Sequence, residues 1–152
     1  MSAPAYYLPA GLPRPVAEPD GLDTPYWEGT RARELRVQRC RACRAWQWGP
    51  EWICHGCLAF DLEWAVVAPR GTIYSWERAW HPVHPALRGH GPYVVVLVEL
   101  PHAGNVRMVG NLVGGGEPSI GAHVRAVFED HAEREGVAAY TLVQWALAEA
   151  SP

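Results

Sequence analysis

Cys40-Arg41-Ala42-Cys43, ten further residues, then Cys54-His55-Gly56-Cys57 is the stretch that decides how this chain is read. Two Cys-x-x-Cys knuckles let four thiolates converge on one metal at about 2.3 Å, and the usual occupant of such a site is structural Zn2+. Iron in a rubredoxin-like site would use the same ligands. Two disulfides are the competing reading, but disulfide-rich folds are usually smaller than this one. The spacer is short for a double knuckle and suits a compact ribbon, with Trp46, Trp48 and Trp52 on the hairpin between the knuckles. Metal binding then supplies much of the folding energy of such a module.

These four are all the cysteines the chain has. With every thiol committed to metal, none is left for acyl-cysteine chemistry. Ser2, Ser75, Ser119 and Ser151 form no Gly-x-Ser-x-Gly elbow. A site closed by four sulfurs has no open coordination position, which argues against hydrolysis at the metal.

A length of 152 residues allows one domain, or a small module plus one domain. Proline and charged residues interrupt every apolar run, so neither a signal peptide nor a membrane span is expected, and a reducing cytoplasm is the expected compartment. The net charge of −3 argues against broad electrostatic binding of nucleic acid. Lysine is absent, so every fixed cation is an arginine, and there are 8 tryptophans. Trp and Arg are the residues that interfaces favour, although core packing is the better account of any single Trp.

Residues 1–22 read as an extended arm with Pro4, Pro9, Pro13, Pro15 and Pro19 and the apolar handles Tyr6, Tyr7 and Leu8. It is either a disordered tail or a strap over a partner or its own barrel. Thr24 as cap, Pro25 at the first position and a stripe of Tyr26, Trp27, Ala32 and Leu35 predict a helix ending near Leu35. Arg31, Arg33, Arg36, Arg39, Arg41 and Arg44 gather about it, forming either an anion site or a solvated face.

From Leu62 the pattern turns to strands: 64–67, 72–80, 93–100, 106–113, 124–129 and 139–147. Pro69-Arg70-Gly71, the 101–105 segment and the Gly114-Gly115-Gly116 run punctuate them. Val106, Met108 and Leu112, and likewise Val124, Ala126 and Phe128, alternate with polar neighbours, the period of a strand buried on one face. About five such strands predict a small closed barrel of OB type. The expected fold is mainly β, with an N-terminal helix and rubredoxin-like zinc ribbon at 23–61, an OB-fold barrel at 62–147 and a tail at 148–152.

Two further constellations carry chemistry. His81 and His84, flanked by prolines, lie in a loop where they could act as acid and base, ligate a second metal, or simply shape a surface. Tyr74, Trp76 and Trp80, with Arg78, are expected on one strand face, which would suit base stacking by a single-stranded nucleic-acid binder.

Tyr26-Trp27-Glu28-Gly29, the segment from Glu34 to Cys40, both knuckles, Gly71-Thr72-Ile73-Tyr74-Ser75-Trp76, Pro92-Tyr93-Val94-Val95, Val98-Glu99-Leu100, Gly110-Asn111-Leu112, Ile120-Gly121 and Val127-Phe128-Glu129-Asp130 follow one another in a familiar order. Over about residues 20–145 the chain resembles the zinc-ribbon and OB-fold acyl-CoA-associated proteins that accompany thiolase-like enzymes. One departure is Glu51 after Pro50, where that family usually has arginine. The resemblance implies a non-catalytic subunit whose partner, a thiolase or a lipid-transfer-protein-like aldolase, carries the catalytic groups. In such assemblies a β-hydroxyacyl-CoA of steroid side-chain type is cleaved, or an acyl group transferred, and a heterotetramer is expected. Structural Zn2+ would be held by Cys40, Cys43, Cys54 and Cys57, and a CoA thioester would be the ligand of the complex. Expected contacts with the acyl-CoA or the partner are Tyr26, Trp27, Arg36, Arg39, Trp76, Trp80, His81 and His84; nucleic acid and membrane are not expected partners.

Overall fold

A computed structural model of the protein describes residues 6–148; Pro4 and the tail beyond Ala148 lie outside them. Helix α1 (Thr24–Arg31) has Pro25 in its first turn, as the sequence predicts, but Asp23 rather than Thr24 stands at its cap. The Asp23 carboxylate is used elsewhere, accepting from Trp27 Nε1 at 2.8 Å and from Glu18 N at 2.9 Å. The helix also stops before Leu35. Arg33 turns left-handed at φ 64°, its N–H donates to Thr30 O, and Glu34 N donates to Gly29 O at 2.8 Å. This paired closure of a helix end is usually given to glycine. Here an arginine takes it, and its guanidinium is tied to Asp130 and to Phe128 O on the far barrel wall.

Leu35 accordingly opens a strand. β1 (Leu35–Cys40) runs between β2 (Trp46–Gln47) and β3 (Leu62–Val67), antiparallel to both. The first predicted strand therefore belongs to the ribbon sheet. The remaining five, β4 (Arg70–Ala79), β5 (Tyr93–Leu100), β6 (Val106–Val113), β7 (His123–His131) and β8 (Tyr140–Leu147), close a barrel in the order β4-β5-β6-β8-β7. β7 pairs back onto β4, and β6 with β8 is the parallel pair. This is the OB-fold expected from the strand count.

Ile73, Val96, Val98, Leu100, Val124 and Trp145 fill the barrel, and Leu35, Val37 and Val67 of the ribbon sheet join the same cluster. Trp145 fits because position 110 is glycine: a Cβ there would stand 2.7 Å from its ring. The two modules thus share one core. Trp46 adds a second seam, lying under Arg39 at 4.8 Å and against Gly104 of the β5–β6 turn.

The described part of the arm drapes over its own barrel, one of the alternatives left open by sequence. Tyr6 stacks on His131 with centroids 4.1 Å apart, and His131 stacks on Tyr140 at 4.5 Å. His131 Nε2 bonds Glu129 Oε1 at 2.7 Å, and Tyr7 N donates to Glu129 Oε2 at 2.9 Å. Leu8 and Leu12 close a cavity of about 310 Å3 against Leu142.

Candidate metal centre and its surroundings

The two knuckles are one structure built twice. Arg44 N donates to Cys40 O and Leu58 N to Cys54 O, each at 3.0 Å; Cys40 N donates to Ala45 O at 2.8 Å and Cys54 N to Ala59 O at 2.9 Å. Arg44 and Leu58, next after each second cysteine, share the left-handed conformation with φ 65° and 64°. That turn aims both sulfurs of a knuckle inward. Cys40 and Cys54 are buried, Cys43 and Cys57 exposed.

All four sulfurs lie within 4.8 Å of one another. Cys40 Sγ is 3.7 Å from Cys57 Sγ, and Cys43 Sγ is 3.6 Å from Cys54 Sγ. Four sulfurs placed tetrahedrally at 2.3 Å from one ion stand about 3.8 Å apart, so the residues present fit such a metal. The N–H groups of Cys57 and Gly56 pull the Cys54 thiol down to about 6. Cys57 is pushed up to about 12: the Ala59 N–H acts the other way and is outweighed by Cys43, burial, Cys40 and Cys54. Thiols this close ionise together only with a cation between them, and the thiolate is the form that binds metal. Among the described residues the four cysteines are the one group of three or more potential ligands so arranged, and His81 and His84 form no second one.

Two buried glutamines, missed from the sequence, hold the spacer. Gln38 Nε2 donates to Glu51 O at 3.1 Å while its Oε1 accepts from Glu51 N at 3.0 Å. Gln47 Nε2 donates to Gln38 Oε1 at 3.0 Å and to Ile53 O at 3.2 Å, and its Oε1 accepts from His55 N at 3.0 Å. The side chain thus replaces a strand partner for a loop that has none. It also shows what position 51 does here: its main chain is gripped, while its side chain is exposed. The signal available in the sequence was an amide on each short strand beside the knuckles, Gln38 after Val37 and Gln47 between Trp46 and Trp48.

The expected contact residues fall into two groups, and no hydrogen bond, ion pair or ring contact joins them among the described residues. Tyr26, packed on Trp48 at 4.9 Å, has its hydroxyl pushed up to about 12 by burial. Trp27 is bonded to Asp23, and Arg36 is folded under Gly29, giving its guanidinium to Glu34 at 2.7 Å and to Pro25 O. Arg39 covers Trp46 and reaches Arg44 O. These four are engaged within the fold.

The second group opens at the far end of β4 and β5. Trp80 is 74% exposed and, with His81, Pro82, Leu87 and Tyr93, borders a hollow of about 220 Å3. His84 Nδ1 accepts from Ala86 N at 3.2 Å, capping a single 3-10 turn, Pro85–Leu87. The predicted common face of Tyr74, Trp76 and Trp80, with Arg78, loses Tyr74. A register shift between Ile73 and Ser75 sets Trp76 opposite Val96 and Arg78 opposite Val94, where Trp76 stays 38% exposed. Tyr74 goes to the other face, under Arg107 at 3.5 Å. Cross-strand partners share a face, so the bulge divides the aromatic strip.

The match with known proteins follows the same two-module division. The family model described as the ChsH2 rubredoxin-like zinc ribbon domain matches residues 27–63, and that described as the ChsH2 C-terminal OB-fold domain matches residues 64–129. A chain of the structure named Ltp2-ChsH2(DUF35) aldolase superposes with a TM-score of 0.71 at 34% identity, covering 88% of this chain and 98% of that one. The protein belongs to the ChsH2 family. A probable enoyl-CoA hydratase alpha subunit from Thermomonospora curvata is 41% identical over 103 residues; the match takes in 67% of this chain and 30% of that relative's length. A DUF35-family crystal structure from Sulfolobus solfataricus, 12% identical with a TM-score of 0.54, covering 82% of this chain and 84% of its own, shares the fold. Family and geometry agree on a closed structural metal site. No helix among the described residues is long and apolar enough to cross a membrane.

Proposed function

We propose that this chain is the accessory subunit of an acyl-CoA enzyme of the thiolase superfamily, paired with a lipid-transfer-protein-like aldolase. The observation that carries the reading is the match, over 98% of its length, to a chain of a structure whose name joins ChsH2 to Ltp2 as an aldolase. Supporting it, the four thiols form one closed cluster, and large apolar side chains stay exposed on both modules, among them Trp52, Leu58 and Phe60 on the ribbon and Trp80 and Val83 at the end of β4. Large apolar side chains left in water suit burial against a second protein.

In this reading the partner supplies the acid, base or nucleophile for carbon-carbon cleavage of a β-hydroxyacyl-CoA, of steroid side-chain type. The present chain stabilises the partner and borders the acyl-CoA path with Trp76, Trp80, His81 and His84. Two copies flanking a partner dimer give the expected heterotetramer, in the cytoplasm. The reading is tested by tagging the protein in its native host and identifying whatever elutes with it in stoichiometric amount. A thiolase-like partner supports it; elution as a stable lone monomer overturns it.

A further inference from the structure

Thirteen arginines are the chain's whole supply of fixed cations, and the fold gives most of those described a partner. Arg33 meets Asp130, Arg36 meets Glu34, Arg41 and Arg44 meet Glu63, Arg78 meets Glu117 and Arg107 meets Glu99. Arg14, Arg31, Arg39 and Arg88 meet no carboxylate among the described residues, but Arg70 and Arg125 are set against each other. They are directly opposite each other on the antiparallel strands β4 and β7, and neither bonds a carboxylate among the described residues. Side chains so placed have Cβ atoms about 5 Å apart, and like charges there destabilise the sheet.

Their surroundings do not relieve the repulsion. Two residues along each strand, Thr72 faces His123, which extends the same surface with a hydroxyl and an imidazole. These four border an open groove of about 980 Å3 that also takes in Ser119 and His102. His102 Nε2 lies 3.0 Å from Ala68 O and so donates there, which fixes the ring with Nδ1 unused by that bond. Glu117, the acid in the lining, is already bonded to Arg78 at 2.8 Å, and Glu99, opposite Thr72 on β5, is bonded to Arg107 at 2.9 Å. The groove is therefore lined by two uncompensated guanidinium groups, two imidazoles and two hydroxyls, with room for a ligand far larger than an ion.

We infer that this groove binds the phosphate of an organic phosphate ester or anhydride, with Arg70 and Arg125 gripping the oxygens from the two strands and Thr72, Ser119 and His123 completing the contacts. Guanidinium groups match phosphate in fork geometry, and a dianion between them turns a repulsive pair into an attractive triad. The ligand is either the nucleotide end of a CoA ester, in which case the site deepens the subunit reading and rests on it, or a free organic phosphate.

The test is titration calorimetry of the full chain with 3′,5′-ADP, CoA, pyrophosphate and pantetheine, repeated on Arg70→Gln, Arg125→Gln and, as a control outside the groove, Arg88→Gln. Saturable one-to-one binding of a phosphate-bearing probe is expected, weakened about tenfold or more by either groove variant and untouched by Arg88→Gln. Without ligand, both groove variants should melt at or above the parent temperature, because the like-charge pair is gone; this separates loss of binding from misfolding. CoA and 3′,5′-ADP binding alike, with pantetheine silent, assigns the nucleotide end of CoA, 3′,5′-ADP binding with CoA silent assigns a free organic phosphate, and pyrophosphate binding alone overturns the organic ligand. Absence of saturable heat with every probe, or equal weakening by Arg88→Gln, overturns the site. So does a single-stranded oligonucleotide that binds more tightly than 3′,5′-ADP. Partner capture by Arg70→Gln, measured alongside, tells failure of the groove from failure of the subunit reading.

Discussion

The ribbon and the barrel reach definite structures by different means. The barrel is held by packing: Val96, Val98, Leu100 and Trp145 are fully buried on strands that pair along their length. The ribbon spends few apolar side chains and adds four converging sulfurs and two glutamines that each grip named main-chain atoms. Packing tolerates small errors because many weak contacts share the load. Ligation and buried hydrogen bonds do not, because each lost partner leaves a group unsatisfied. Defects in the ribbon should therefore be few, specific and severe, and defects in the barrel graded.

The sharpest break in that contrast is a matched pair of variants. Cys40→Ser should reduce bound metal from one ion per chain to none and abolish amide-exchange protection in β1 and β2, while β5 and β6 stay protected. Gly110→Val, which forces a side chain against Trp145, should do the reverse: metal is retained and the barrel loses about 3 kcal/mol in denaturant unfolding. Equal loss of protection in both modules from either variant would mean that the two fold as one cooperative unit.

A smaller effect is expected between the two extremes. Gln38→Leu strands Glu51 N and O and one donor bond of Gln47, at a cost of about 2 kcal/mol, and should weaken metal binding about tenfold although it touches no sulfur. A metal titration unchanged by this variant would show that the spacer needs no such grip. The smallest effect concerns the tie between modules. The Asp130 carboxyl is held below the usual carboxylate range by Arg33, with help from Thr141 Oγ1. A group with a depressed folded value stabilises above its unfolded value and loses that contribution as pH falls through the folded one. Because the pair is more than half exposed, its worth is at most about 1 kcal/mol. Asp130→Asn should remove it at neutral pH and flatten the fall in stability on acidification; an unchanged acid limb would assign that fall to other carboxylates.

What was legible in the sequence follows the same division. The sulfur positions could be read because Cys-x-x-Cys geometry admits few alternatives, β6 because apolar alternation and turn residues agree, and β5 because its apolar run is unbroken from Tyr93 to Val98. The helix end could not, because its left-handed residue is Arg33 rather than the glycine that marks such closures, so Leu35 looked like one more turn of stripe. The aromatic strip failed for a related reason. A bulge inserts a residue with no side-chain signature, and it turns Tyr74 away from the face that Trp76 and Arg78 share. Arg36 and Arg39 stood out by clustering in sequence, yet the fold occupies them, while Arg70 and Arg125, 55 positions apart, meet only through strand pairing.

Leu35 and Val37 belong to the strand that ends at Cys40, yet their side chains lie among those of the barrel. A chain that has lost its ion therefore leaves part of the barrel's apolar filling without its cover, a state that chaperones and proteases recognise. Metal supply would then govern how long the protein survives after synthesis, and starvation for the ion would show first as lowered abundance rather than as an altered reaction.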